Sequence, residues 1–430
     1  MRCAVLLAWC LSVRAAERNP DEVMKQVTER VVSSAARIPS YTCVETIVRE
    51  YYRPMVATLP RSCPVLMRQR RHPTPDLALR LAMTDRLRLD VTMTGRGEIF
   101  SWVGASRFDD RSISQLVDGP MVTGAFGGFL SIVFKQDVRK FTFERSTEVE
   151  GRRLMEYSFQ VAAENSSYKT VIPGSSVKTG YTGTVLADPV TGDLILLTVK
   201  TAELPVAANA CEVSTNLALQ MVKIGDGEFL LPAQARQRYV LTTGEETENT
   251  TTFAGCREYL GESSVNFNAP NSDADGFRPS TPATLVRVPA KQRFTIELTS
   301  PIASLTAAAG DGFSGRLLTP LLDERRRMLA RTGSLVEGRI LRVERHHLAP
   351  AFTVVALKLE GVEIKGTMAP LAAARDWSRE LHRSTRKAHV EIPLPLPSEK
   401  NAAVFRFAGD QAVIPRGYRS DWRTVNTSSR

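Results

Sequence analysis

Between Tyr181 and Glu262 the chain repeats one pattern: short runs rich in Val, Leu, Ile, Thr and Tyr, each closed by residues that reverse a backbone. Asp188-Pro189 with Gly192-Asp193 makes one reversal, and Gly225-Asp226-Gly227 makes a tighter one. Runs of this composition between such turns predict consecutive antiparallel strands. A meander of this size has an apolar face that another layer must cover. The sequence before it is the natural source of that cover.

A helix opens that region. Asn19 is a good N-cap, Pro20 suits the first helical position, and Asp21 and Glu22 complement the dipole, with Glu22 completing a capping box. Val23, Val27, Val31 and Ile38 mark one face at helical spacing, and Pro39 ends the run. Tyr41 to Tyr52 reads as a strand. Residues 53–80 carry five prolines and a basic run, Arg68 to His72, which we read as a solvated loop because no aromatic residues interleave with it. From Arg86, Leu87, Leu89, Val91 and Met93 alternate with polar neighbours, as in a strand with one buried face. Gly95-Arg96-Gly97 turns the chain into Glu98–Val103, with Phe100 and Trp102. Further runs flank the Glu150-Gly151 turn. Together these predict one large, strongly curved antiparallel sheet, polar outside and apolar within.

The segment GPMVTGAFGGFLSIVF, residues 119–134, lies between those strands. Its glycines fit neither GxxxxGK[ST] nor a strand-framed GxGxxG, so no nucleotide site is expected. Two readings stand. One is a short helix filling the core. The other is a lid over an apolar cavity, made of Phe126, Phe129, Leu130, Ile132 and Phe134 with Trp102 nearby, which moves when a lipid-like ligand enters.

The first fifteen residues have the basic start, apolar run and small-residue site of an export signal, with cleavage expected after Ala15 and a periplasmic or secreted destination. Trp9 argues against Cys10 as a lipidated cysteine. Beyond Cys3 and Cys10 remain Cys43, Cys63, Cys211 and Cys256, an even number suited to an oxidising compartment. The pairing we expect is Cys43 with Cys63 and Cys211 with Cys256; the sequence leaves the other two connectivities open. No spacing matches a zinc site.

Residues 268–290 concentrate Asn, Ser, Asp, Gly and Pro and read as a linker. From Lys291 short strands resume, with turns expected at Gly310-Asp311, Gly333-Ser334 and Glu360-Gly361, which argues a small all-β barrel or sandwich. The expected organisation is therefore a signal (1–15), a half-barrel (16–267), a linker (268–290) and a second β domain with a C-terminal tail (291–430). The class is mainly β, with an N-terminal helix and inner helices.

The capped helix and long strand, the pair DRLRLDV and EIFSWVG, the DPVTGDLILLTV hairpin and the GDGEFLLPAQA run together resemble the exported lipoprotein-carrier fold of the LolA/LolB type over about residues 20–267. That resemblance implies an unclosed antiparallel barrel whose concavity holds acyl chains. The chain is also similar to uncharacterised exported bacterial proteins built on that plan. GDGFSGRLLTPLLDERRRMLARTGSLVEGRIL is similar to a strand pattern of TrbI-type conjugation-apparatus barrels, which implies an envelope assembly or adaptor role.

No catalytic motif is visible: no GxSxG, no SxxK, and no HExxH around His346-His347. Asp311, Asp323 and Glu324 sit among turn residues. The net charge of +10 comes from 56 basic against 46 acidic residues spread along the chain, a mild bias toward an anionic membrane surface and not a nucleic-acid footprint. The expectation is a non-enzymatic envelope protein without cofactor or metal. It binds a lipid or other apolar ligand in its first half; the alternative is an adaptor that meets an envelope protein through its two β regions.

Overall fold

The computed structural model describes residues 18–55, 62–71, 78–94, 97–105, 108, 113–121, 123–138, 140–172, 175–201, 204–258, 288–376, 396 and 399–426. The expected export signal, Cys10 and residues 268–287 of the expected linker lie outside them. So does part of the expected tail.

The first half comprises α1 (Pro20–Arg37), β1 (Tyr41–Pro54), α2 (Cys63–Arg71), β2 (Leu79–Thr94), β3 (Gly97–Trp102), α3 (Ile113–Leu116) and α4 (Gly128–Ser131). A π-helical turn, Ile132–Asp137, continues α4. Then follow β4 (Thr142–Val149), β5 (Arg152–Val161), β6 (Lys169–Ile172), β7 (Ser175–Lys178), β8 (Tyr181–Ala187), β9 (Leu194–Thr201), β10 (Ala210–Ile224), β11 (Gly227–Leu241) and β12 (Glu246–Glu258). Pairing is antiparallel in the order β3-β2-β1-β12-β11-β10-β9-β8-β5-β4, with β6 and β7 as a separate hairpin. Among the described residues nothing joins β3 to β4, so the sheet is open, as expected. Register shifts at Thr42/Val44, Tyr51/Tyr52 and Ala218/Leu219 mark bulges, which bend their strands.

The helix α1 fills the inside of the bend. Asn19 Oδ1 accepts from Asp21 N, which caps the helix, and Val23, Met24, Val27 and Val31 are buried. Tyr157 Oη donates to Pro20 O and Leu230 N donates to Ser34 Oγ, tying each end of the helix to the sheet.

The disulfides are Cys43–Cys256 and Cys63–Cys211, so the expected pairing is corrected. The cause is the register: β1 pairs with β12 along its length, with Thr42 opposite Arg257 and Val44 opposite Ala254, which sets Cys43 beside Cys256. The stretch expected to be irregular contains α2, which the second bridge fixes to the start of β10. Leu66 packs there with Cys211 and Val240. In its basic run Arg70 is consumed by an ion pair with the buried Glu246, and His72 lies outside the described residues.

The second half contains β13 (Arg293–Leu298), β14 (Ile302–Ala303), β15 (Gly312–Leu317), β16 (Leu321–Leu322), β17 (Met328–Ala330) and β18 (Leu335–His346). It continues with β19 (Phe352–Ile364), β20 (Thr367–Pro370), β21 (Ala373–Arg375), β22 (Ala403–Ala408), β23 (Val413–Ile414) and β24 (Arg419–Thr424). Its apolar cluster, which includes Ile296, Leu317, Val336 and Trp422, is distinct from that of the first half. The expected turn at Glu360-Gly361 is corrected: both residues lie inside β19, and the reversal comes at Lys365-Gly366, both at positive φ. Val288, expected in the linker, packs on the second core.

The halves meet on β2. Its edge away from β1 pairs with β3 through Leu89–Thr94 and with β18 through Met83–Asp85. Between these, Arg88 N donates to Ala309 O and Ala309 N to Arg86 O.

Candidate functional site

The inward face of the sheet is not uniformly apolar. Alternation along β1 turns Cys43, Glu45, Ile47 and Arg49 inward. Arg49 stands opposite Asp85 on one side and Asn249 on the other, and Gln237 and Thr215 continue the row across β11 and β10. All five are buried. Arg49 donates from Nε to Asp85 Oδ1 at 2.7 Å and from Nη2 to Oδ2 at 2.6 Å, and from Nη1 to Asp118 O. A polar rung therefore crosses a surface expected to be apolar, and its charges are held in a bidentate pair.

On one side of this rung the glycine-rich segment covers the sheet. Gly124 N donates to Glu98 Oε2 at 2.6 Å, while the N–H groups of Phe126, Gly127 and Gly128 converge on Oε1 at 2.9 to 3.3 Å. The glycines thus form an anion-binding nest, but the anion is the protein's own carboxylate. Gly124 has a φ of +109°, and a Cβ there would lie 3.2 Å from the Phe129 ring. Burial pushes the Glu98 pKa up, against the four N–H donors that draw it down. Glu45, buried with Oε2 unpartnered, is pushed up to about 8 by burial first and by the charge of Glu98 second.

The predicted residues separate into two groups. Phe126 is buried between Tyr41 (ring centroids 4.9 Å) and Phe253 (5.6 Å). It forms the inner wall of a crevice that Leu130 also lines. Phe129 stacks on Tyr168, and Phe134 packs on Phe141. Ile132 is half-buried against the same core, and Trp102 lies beside Gly310 at the seam between the halves. Asp137 anchors the end of the segment, accepting from Ser167 N, Ser167 Oγ and Tyr181 Oη.

The crevice has a volume of about 430 Å³ and runs between the C-terminal turn of α1, the glycine-rich segment and the β10–β11 hairpin. Ile38, Met93, Leu130 and Leu230 supply apolar wall; Ser34, Ser40 and Ser131 contribute hydroxyls, and among the described residues Lys135 is its one charged lining residue. Beside it, α1 and the segment itself pack against the inner face of the sheet. A larger cavity, about 550 Å³, opens at the seam, where Arg53, Glu245, Glu246 and Arg406 line it together with a His346–Phe352 stack. A third, about 280 Å³, lies over Arg49, Asp85, Arg342 and Glu344. Both carry charged groups held in ion pairs and lie where the two halves meet, whereas of the three cavities it is the crevice that the predicted Phe126 and Leu130 line.

Sequence reasoning missed Glu98, Glu45 and Lys135. The available signal was an acid at an inward strand position: Glu98 two residues before Phe100, and Glu45 between Cys43 and Ile47. At the seam His347 bridges Thr84 Oγ1 (Nε2, 2.9 Å) and Asp410 Oδ2 (Nδ1, 2.7 Å). This has the spacing of a nucleophile, base and acid. Neither Thr84 nor His347 lines any of the three cavities, and the chain of bonds ties β2 to the second half. Asp311 pairs with Arg88, and Asp323 caps its own turn through Arg325 N and Arg327 N. Among the described residues no cluster of three or more His, Cys, Asp or Glu has metal-binding geometry. No described helix is long and apolar enough to cross a membrane.

No protein-family model matches the chain, and no curated protein matches it. Among solved structures, a domain assigned to outer membrane lipoprotein sorting from Vibrio parahaemolyticus is 12% identical. That match covers 57% of this chain and 97% of the other, with a TM-score of 0.27. A DUF1329 family protein from Desulfovibrio piger is 10% identical over 58% of this chain and 98% of the other, with a TM-score of 0.28. At TM-scores of this size the likenesses add nothing to the reading of the site, which rests on the geometry above.

Proposed function

We propose that this is an exported envelope protein that carries or senses an apolar ligand, held in the crevice between α1 and the glycine-rich segment. One observation carries the reading: inside an open sheet, between α1 and the glycine-rich segment, a crevice of about 430 Å³ stays open, walled by Ile38, Met93, Phe126, Leu130 and Leu230. The volume falls in the range of about 300–1,000 Å³ typical of small-molecule sites. Two disulfides suit an oxidising compartment, in line with the apolar start of the chain. In this reading Phe126 and Leu130 are ligand-facing, while Phe129 and Phe134 hold the segment in place.

Native mass spectrometry of the full chain recovered from its own compartment tests the proposal. A bound mass that organic extraction removes and identifies as a lipid is the expected result. A clean apo mass accompanied by a stable protein partner overturns it in favour of the adaptor role.

A further inference from the structure

We infer that the crevice takes a single-chain amphiphile with an anionic head, seated by Lys135. This rests on the proposed apolar-ligand reading and specifies its chemistry. The walls recognise only hydrocarbon, so selectivity has to come from the polar groups that border them. Among the described residues those groups are the hydroxyl-bearing Ser34, Ser40 and Ser131 and one charge, that of Lys135. Among the described residues no carboxylate lines the crevice to compete for it. The nearby acid on β3, Glu98, is already occupied by four backbone N–H donors of the covering segment. Lys135 is exposed and makes no ion pair among the described residues.

The position of Lys135 follows from the fold. It sits on the π-helical turn that continues α4, directly after the buried Val133 and Phe134. Those two residues fix the turn against the core. Asp137 locks its end to Ser167 and Tyr181. The ammonium is thus carried on a short, anchored element at the border of an apolar cleft, while its stem can lie along apolar surface. A hydrocarbon chain laid against Leu130 and Phe126 places its head beside the Lys135 ammonium and the serine hydroxyls of the crevice. A carboxylate or phosphate is the complement of that set, and a quaternary ammonium is its opposite.

Each methylene buried in the crevice raises affinity about fourfold whatever the head. The head contributes less: a partly exposed ion pair is expected to favour an anion over a neutral alcohol by roughly threefold to fivefold at low salt. That preference should shrink as salt is added.

The test measures binding of dodecanoate, dodecyl phosphate, dodecanol and dodecyltrimethylammonium to the full chain by displacement of an apolar fluorescent probe at pH 7. Wild type and the Lys135→Met and Lys135→Glu variants are compared, with circular dichroism confirming the fold. The anionic chains are expected to bind more tightly than dodecanol. Lys135→Met should abolish the difference, and Lys135→Glu should turn it toward the cationic chain. A tighter dodecyl phosphate assigns a phosphate head, and a tighter dodecanoate a carboxylate. Equal binding of anion and alcohol by wild type, or a preference that survives Lys135→Met, overturns the inference and leaves the apolar-ligand reading standing. Failure of all four chains to bind overturns both.

Discussion

Arg49 Nη2 lies 2.6 Å from Asp85 Oδ2 across adjacent strands, with the two side chains only 5% and 7% exposed. Removing one partner leaves a buried charge without compensation, at a cost of about 3–5 kcal/mol. Asp85→Asn is expected to lower stability by that amount in urea denaturation. The double variant Arg49→Met/Asp85→Leu should recover more than half of the loss, because burial of two apolar groups involves no desolvated charge. A loss below about 1 kcal/mol for Asp85→Asn would mean that water reaches the pair.

Glu45 sets a pH dependence whose sign follows from its raised pKa. The folded protein holds its carboxyl at about 8, against an ordinary 4.5. The folded state therefore binds the proton more tightly than the unfolded chain does. Its stabilising contribution is complete below about pH 4.5 and is lost as the pH rises to about 8. Glu45→Gln removes the dependence. Relative to wild type the variant should be about 3–5 kcal/mol more stable above pH 8, and close to equal at pH 4. Urea midpoints across pH 4 to 9 check this; a constant difference would show that Glu45 stays ionised throughout.

The disulfides close loops with sequence separations of 213 and 148 residues. On the chain-entropy account, loops this long are worth about 5 kcal/mol each. Non-reducing peptide mapping should recover Cys43 with Cys256 and Cys63 with Cys211. The paired replacement Cys43→Ser/Cys256→Ser should lower the thermal midpoint more than any surface substitution. Recovery of a Cys43–Cys63 peptide would contradict the β1–β12 register.

Phe129 and Leu130 are neighbours in sequence with opposite expected phenotypes. Phe129 is 2% exposed and stacked on Tyr168, so Phe129→Asp should unfold the first half, with a loss exceeding about 3 kcal/mol. Leu130 borders the crevice, so Leu130→Asp should keep native circular dichroism and weaken uptake of an apolar fluorescent probe at least several-fold. Normal probe uptake by folded Leu130→Asp would remove the crevice as the site.

Gly338 lies opposite Phe313 on the neighbouring strand, and a Cβ there would fall 2.4 Å from both Lys358 O and the Phe313 ring. Gly338→Ala should cost about 1–3 kcal/mol through overpacking. The additional replacement Phe313→Leu should relieve part of that strain, which a double-mutant cycle in urea would measure.

Local chemistry made parts of this fold legible. Asn19 and Pro20 announced α1, and the Gly225-Asp226 reversal sits between paired Ile224 and Gly227. Pairings between distant segments were not legible. Nothing near Cys43 in sequence says that β1 will lie beside β12, so the short bridge to Cys63 looked natural and was wrong. Gly361 looked like a turn because glycine serves both turns and crowded strands; Met368 passes over it from β20. In the glycine-rich segment the apolar residues marked a covered surface. The division of labour between Phe126 and Phe129 depends on which of them lines the crevice, and that required the three-dimensional arrangement. The acid that organises the segment, Glu98, lies 26 residues before Gly124.

The seam on β2 carries a further consequence for any fragment of this protein. A chain cut before Val288 would bare the carbonyls of Ala82 and Arg86 and the amide of Arg88, which His347 and Ala309 now satisfy. A raw selvage of that kind invites strand addition by a second copy, and the isolated half is expected to elute as oligomers or aggregate. The second half thus serves its neighbour as a hem, whatever else it contacts.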